Sequence, residues 1–295
     1  MGTLVVVAEL LRCYRHPDRE TRVSCSECGR GICPDCMVFA PVGIRCPDHA
    51  GEVQGVKRVA DRVQWRAAHP GIVTKAIVAT SVGIYLLQLA GGASINANSG
   101  WIYEHFALVA VGIDSSGEVV GVSQGEWWRL ITAAFLHYGP IHLGMNMLAV
   151  WWIGRPLEDA LGPLRYLLLY LVSGLAGSAG ALLVSPTAVT VGASGAIFGI
   201  LGAAIVLERQ RTYVLGGSAI TLLVLNLAFT FAVPGISIGG HLGGLAGGAL
   251  AILAMSHFGR RSAVYARQDL SSYVGLVAIA LVSVAIAYWK VRGYA

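Results

Sequence analysis

Seven apolar stretches dominate the sequence, near residues 72–90, 140–157, 164–184, 193–208, 213–232, 238–258 and 272–289. About 20 apolar residues cross the ~30 Å hydrocarbon layer of a bilayer as a helix. No water reaches that layer, so each crossing segment must satisfy its own backbone N–H and C=O groups. Long apolar runs do this as helices, and an all-α polytopic membrane protein follows. Composition agrees. The residues AVILMFWYC make up 55% of the chain and charged residues only 13%, where soluble chains carry about 25%. That balance excludes a disordered chain and an ordinary cytosolic enzyme. The 38 glycines follow no collagen-like period and need another use.

Polar residues collect ahead of the spans. Residues 1–75 hold 11 of the 21 Lys+Arg and 8 of the 16 Asp+Glu, and all six cysteines lie between Cys13 and Cys46. The chain reads as a Cys-rich head (1–50), a basic linker (51–71) and a membrane domain (72–295). The opening MGTLVVVAELL has no basic start and no cleavage site, so it does not read as a signal peptide. Basic loops favour the cytoplasmic side. With seven spans, Lys57, Arg58, Arg62, Arg66 and Lys75 share a side with Arg155, Arg165, Arg209, Arg211, Arg260, Arg261 and Arg267. The opposite loops carry Arg129 alone, and the C-terminal tail adds Lys290 and Arg292. The expected topology puts the head in the cytoplasm, beneath the plasma membrane. The lipid bilayer then accounts for the net charge of +5, and no nucleic acid is implied. The connection 91–139 carries Trp101, Trp127 and Trp128, which suits a loop lying at the membrane interface.

In the head, ligand-type residues form four pairs: Cys13-x2-His16, Cys25-x2-Cys28, Cys33-x2-Cys36 and Cys46-x2-His49. A two-residue gap lets one turn aim both side chains at one metal ion, and four ligands complete a tetrahedral zinc site. Eight ligands make two sites. A disulfide framework conflicts with a cytosolic head, where thiols stay reduced, and leaves the paired histidines without a role. Spacing alone allows sequential or interleaved pairing. The pattern resembles the B-box type of zinc finger, which holds two zinc ions in a cross-brace. That resemblance implies one site of Cys13, His16, Cys33 and Cys36 and a second of Cys25, Cys28, Cys46 and His49. The segment has too few apolar residues for a core, so metal binding is expected to supply most of its folding energy. Four protein ligands leave no place for water, so both ions are expected to be structural. A head of this kind also implies a protein partner.

Ionisable or nucleophilic side chains inside a span are costly, and each is a functional hypothesis. Ser194 lies in Gly192-Ala193-Ser194-Gly195 at the start of a span, where a serine also serves as a helix cap or a small packing residue. His241 lies in Gly239-Gly240-His241-Leu242-Gly243-Gly244, where proton relay, metal ligation and a helix–helix hydrogen bond all compete. His142 and Asn146 are four residues apart and share a helix face. Gly195 and Gly199 in one span, and Gly240, Gly244 and Gly248 in another, recur every four residues. Such faces let two helix backbones approach closely. If these two spans pack together, Ser194 and His241 meet near their outer ends. A serine hydroxyl needs a base to take its proton, and the resulting oxyanion needs fixed donors.

These residues resemble those of the rhomboids, a family of intramembrane serine proteases. The match comprises Glu126-Trp127-Trp128-Arg129, His137, His142-x3-Asn146, Gly154 with Glu158, Gly192-Ala193-Ser194-Gly195 and His241-x2-Gly244-x3-Gly248, in the family's order over roughly 120–258. The resemblance implies a six-helix core with one additional C-terminal transmembrane helix. It implies Ser194 as nucleophile, His241 as general base, and an oxyanion hole of His142, Asn146 and the Ser194 N–H. No cofactor is implied for catalysis. Substrates would be transmembrane segments of other proteins. Phe198 stands where the family often has a tyrosine stacked on the catalytic histidine. Trp128, Arg129 and His137 match positions assigned to structure. Two other readings compete: a catalytically silent relative that binds membrane proteins, and a transporter or membrane scaffold. The intact Ser194 and His241 disfavour the first, and the lack of an internal repeat disfavours the second.

Overall fold

The structure, a computed structural model, describes residues 10–39, 43–50, 70–256, 262–264 and 270–294. Its backbone contacts divide the chain into two compact units, residues 1–68 and 69–295. The basic linker lies outside the described residues as far as 69, as do Arg260, Arg261 and Arg267.

The head has little regular structure. β1 (Leu11–Arg12) pairs with β2 (Glu20–Thr21), and β3 (Val38–Phe39) with β4 (Ile44–Arg45), both antiparallel. A 3-10 turn spans Pro34–Cys36. The buried apolar cluster consists of Cys13, Cys25, Cys33, Cys36, Cys46 and Ile32. Five of these six are cysteines, so hydrophobic burial cannot by itself hold so small a unit together.

The membrane unit is helical. Its elements are α1 (Ile72–Ala90), α2 (Trp101–Phe106), α3 (Arg129–Thr132), α4 (Gly139–Ala149), α5 (Arg155–Leu161), α6 (Pro163–Val184), α7 (Ser194–Arg209), α8 (Ala219–Ala232), α9 (Ile238–Met255) and α10 (Leu270–Val291). A small hairpin, β5 (Gly112–Ile113) with β6 (Val119–Val120), sits between α2 and α3. Ile72–Ala90, Pro163–Val184, Ile238–Met255 and Leu270–Tyr294 are long and apolar enough to cross a membrane. The stretch expected at 140–157 is not one uniform helix. A π-helical turn, Val150–Gly154, joins α4 to α5. Pro156 has no N–H, and its ring crowds the carbonyl four residues back. The wider i→i+5 turn just before it accommodates this. The stretch expected at 213–232 becomes helical only at Ala219, after the turn that contains Gly216 and Gly217.

Lipid tails are as apolar as leucine, so membrane helices associate through close packing and polar contacts. Here α6, α7 and α9 meet backbone to backbone. A Cβ on Gly244 would collide with the Gly195 carbonyl, and one on Gly248 with the Gly199 carbonyl. On α6, a Cβ at Gly177 would come 3.0 Å from the Gly240 oxygen, and one at Gly180 would collide with the Gly239 oxygen. The expected pairing of the Ser194 and His241 spans through their glycines is therefore present, with α6 as a third member. α10 lies against α6 and α9, and α8 lies on α7.

Two buried charges fix the edges. The Glu158 carboxylate accepts from the Val73 N–H (2.9 Å), the Thr74 N–H (2.8 Å) and the Thr74 hydroxyl (2.7 Å). A carboxylate at the positive end of α1 binds otherwise orphaned donors. Fully buried Arg129 pairs with Glu126 and donates to the Ala107 carbonyl (2.6 Å). The Trp128 indole donates to the His105 carbonyl (3.0 Å). Trp128 and Arg129 thus brace the long connection 91–139.

Candidate functional site

Ser194 is the first residue of α7, directly after the Gly192-Ala193 turn. The turn requires glycine. Gly192 has φ 122°, and a Cβ there would lie 2.7 Å from His142 Cε1 and 2.9 Å from Nε2. At α9, the Ser237 hydroxyl caps the helix by accepting from the Gly240 N–H (3.1 Å), a favourable N-cap arrangement. That cap sets His241 in the first turn, 6% exposed. Ser194 and His241 line one cavity of about 30 Å3 with Gly192, Ser237, Leu108 and Ala133, which has room for water. Among the described residues no hydrogen bond joins Ser194 to His241. Catalytic hydrogen bonds often tighten only when substrate binds.

The surrounding groups define donors and acceptors. The Phe198 ring stacks on His241 with centroids 4.1 Å apart and planes inclined by 16°. The hydroxyl missing from Phe198 does not disturb the stack. On the opposite edge, Thr230 Oγ1 lies 2.8 Å from His241 Nδ1. The Tyr138 N–H donates to His142 Nδ1 (3.2 Å). A neutral imidazole has one N–H, so His142 carries its hydrogen on Nε2, the atom beside Gly192. Asn146 is buried, and its Nδ2 donates to the His142 carbonyl (3.0 Å). The amide has a second hydrogen to give, and Nδ2 lies 3.7 Å from the point where a Gly192 Cβ would be. His142 and Asn146 therefore both present N–H groups to the serine turn. His137, buried behind them, faces the Ala193 N–H with Nε2 at 3.5 Å.

Of the expected residues, Ser194 and His241 line the cavity, and His142 and Asn146 lie beside the Gly192 turn that precedes Ser194. Sequence reasoning missed Thr230, because a threonine in an apolar helix carries no signal of its own. His137, expected to be structural, backs the serine turn.

In the head, the ligand atoms gather in the interleaved arrangement, Cys13, His16, Cys33 and Cys36 in one group and Cys25, Cys28, Cys46 and His49 in the other. Within each group they lie within 4.8 Å of one another. A tetrahedral zinc ion at its usual bond lengths requires S···N edges of roughly 3.5 Å and S···S edges of roughly 3.8 Å. His16 Nδ1 lies 3.7, 3.4 and 3.4 Å from the sulfurs of Cys13, Cys33 and Cys36. His49 Nδ1 lies 3.2 Å from Cys46 Sγ, and the Cys28 and Cys46 sulfurs are 3.9 Å apart. Both groups fit such an ion. None of the six cysteines is paired in a disulfide. Burial, with the neighbouring Cys13 and Cys33 sulfurs, pushes the Cys36 thiol up to about 11. Burial also raises Cys13, but hydrogen bonds from the Cys33 and Arg15 backbone outweigh it and bring that thiol down to about 6. Three sulfurs in one pocket cannot all be ionised without a cation between them.

Comparison with known proteins covers the same ground. Residues 124–258 match the rhomboid domain family, a span that contains His142, Asn146, Ser194 and His241. The protein named Rhomboid protease GluP, of Bacillus subtilis, is 38% identical over 206 residues, 67% of this chain and 36% of that protein. The chain thus spans about a third of GluP's length. YdcA of the same bacterium is 40% identical over 140 residues, 46% of this chain and 70% of that protein. RHOMBOID-like protein 5 of Arabidopsis thaliana is 39% identical over 137 residues, 43% of each chain. With apolar helices suited to crossing a bilayer repeatedly, and with this similarity over most of YdcA, the chain belongs to the rhomboid family of multi-pass membrane proteins.

Proposed function

We propose that this protein is an intramembrane serine endopeptidase that cuts transmembrane segments of other membrane proteins. The observation that carries the reading is the cavity shared by Ser194 and His241, with His142 and Asn146 presenting donors to the same turn. Ser194 Oγ attacks the scissile carbonyl carbon while its proton passes to His241 Nε2. The carbonyl oxygen becomes an oxyanion, which His142 Nε2–H, Asn146 Nδ2–H and the Ser194 N–H hold. The position of Ser194 at a helix N-terminus adds favourable charge. His241 then protonates the leaving amine, and water from the cavity repeats the sequence in reverse to free the acyl-enzyme. Asn146 and His142 move no proton to or from substrate.

The head binds two structural zinc ions, one in each Cys3His group. Thiolate-rich tetrahedral sites select zinc among common divalent ions. Zinc held by these residues would order the head, and the cleavage chemistry is left to Ser194 and His241. The Lys/Arg asymmetry favours a topology with this head in the cytoplasm, available to a protein partner, and the plasma membrane is the proposed location. Ser194 and His241 then lie toward the outer surface.

The test is cleavage of a reporter transmembrane segment with helix-destabilising residues, by the full chain in detergent or vesicles. Wild type is expected to cut it, and Ser194→Ala and His241→Ala to leave it whole. Wild-type-like turnover by either folded variant removes the dyad.

A further inference from the structure

We propose that Thr230 is a positioning residue that fixes His241 in the tautomer able to act as a base. The inference rests on the dyad reading above and adds a third residue to it.

α8 is bound loosely. Of its fourteen residues only Ala219 and Thr230 are buried, while Val224, Leu225 and Phe231 turn outward. Thr230, 2% exposed, is the point where its last turn engages the interior. The hydroxyl makes two contacts there. It lies 2.7 Å from the Asn226 carbonyl oxygen and 2.8 Å from His241 Nδ1. A hydroxyl has one hydrogen and two lone pairs, and a carbonyl can only accept. The hydrogen therefore goes to Asn226. Toward His241 the oxygen offers a lone pair, so Nδ1 must supply the hydrogen. A neutral imidazole with its hydrogen on Nδ1 has its lone pair on Nε2. That is the form that can take the Ser194 proton, and the opposite tautomer cannot.

Two contacts thus define the ring. Phe198 holds its plane by stacking, and Thr230 holds its edge. When the Ser194 proton arrives at Nε2, the imidazole becomes cationic. The Nδ1–H···Oγ1 bond then becomes charge-assisted and stronger. An interaction that strengthens in the transition state raises kcat and leaves KM alone. Without the hydroxyl, Nδ1–H is buried and unpaired, or the ring shifts to the inactive tautomer.

Three measurements on the full chain test this. Thr230→Val keeps the shape and removes the hydroxyl. It is expected to lower kcat roughly 10- to 100-fold, the range for a hydrogen bond to a charged group, with KM within about twofold. Thr230→Ser restores the hydroxyl and is expected to recover most of the rate. The third needs no Thr230 variant: 15N NMR of histidine-labelled Ser194→Ala protein, with the His241 signals identified by their loss in the Ser194→Ala/His241→Ala double variant. The expected pattern is a pyrrole-type Nδ1 and a pyridine-type Nε2. A pyridine-type Nδ1, or a folded Thr230→Val protein at the wild-type rate, overturns the inference. Full cleavage by Ser194→Ala or His241→Ala would instead overturn the dyad itself, so the two failures are distinct.

Discussion

The head and the membrane unit face the same shortage and meet it with different residues. Neither can rely on an ordinary hydrophobic core. The head is too small, and its buried cluster is five cysteines and Ile32. The membrane unit has apolar residues in excess, but lipid offers them the same environment outside as inside. The head gathers sulfur and imidazole around two points where metal can bind. The membrane unit brings α6, α7 and α9 so close that a single Cβ on Gly244 would strike the neighbouring backbone. Cysteine does in one region what glycine does in the other. The lesson is that chemistry follows the glycines: close backbone contact is what brings Ser194 to His241.

The largest expected effect lies at the dyad. Ser194→Ala or His241→Ala is expected to lower turnover by about 10⁴–10⁶, with the double variant no worse than either single one. Initial rates with the transmembrane reporter measure this. Additive losses would mean that the two residues do not act as one unit.

Next come the donors. His142→Ala and Asn146→Ala are each expected to cost about 10²–10³ in kcat, roughly 2.7–4 kcal/mol, with KM little changed. Both variants should still react with a fluorophosphonate, only more slowly. An Asn146→Ala protein that cuts at the full rate would make Asn146 a packing residue.

The glycine contacts predict smaller effects that differ in sign. Gly244→Ala puts a methyl into the Gly195 carbonyl, an overpacking that is expected to cost about 1–3 kcal/mol. Gly83→Ala in α1 meets nothing within 4 Å and is expected to be neutral or to stabilise by up to about 1 kcal/mol, from helix propensity. Thermal unfolding in detergent compares them. Equal losses at both sites would remove the special status of the α6–α7–α9 contact.

The smallest expected effect is that of the head on cleavage. A strong chelator, or Cys33→Ser with Cys46→Ser, should unfold the head, as judged by loss of its dispersed amide NMR signals. Cleavage of the reporter should stay within about twofold. A collapse of activity would tie the two units together functionally.

Much of this was legible in the sequence because spacing carries geometry. His142-x3-Asn146 gives one helix face, and the Gly240, Gly244 and Gly248 repeat gives one contact stripe. The Cys-x2-Cys and Cys-x2-His pairs give metal ligands, although their pairing came only from the B-box resemblance. What stayed hidden depends on contacts between distant segments. Gly177 and Gly180 stand three residues apart rather than four, so they did not read as part of the glycine stripe. Thr230 looks like any threonine whose hydroxyl bonds back to its own helix. Only the meeting of α8 with α9 gives a lone pair of that oxygen a use. The π turn before Pro156 escaped as well, because an apolar run hides a change in helical pitch.

The proposed role of Ser194 is that of a nucleophile made reactive by His241. Mass-spectrometric mapping of a fluorophosphonate adduct on the full chain tests it most directly. One adduct is expected, on Ser194, abolished by Ser194→Ala and formed at least about 100-fold more slowly in His241→Ala. An adduct on a different serine, or unchanged labelling of Ser194 in His241→Ala, would contradict it.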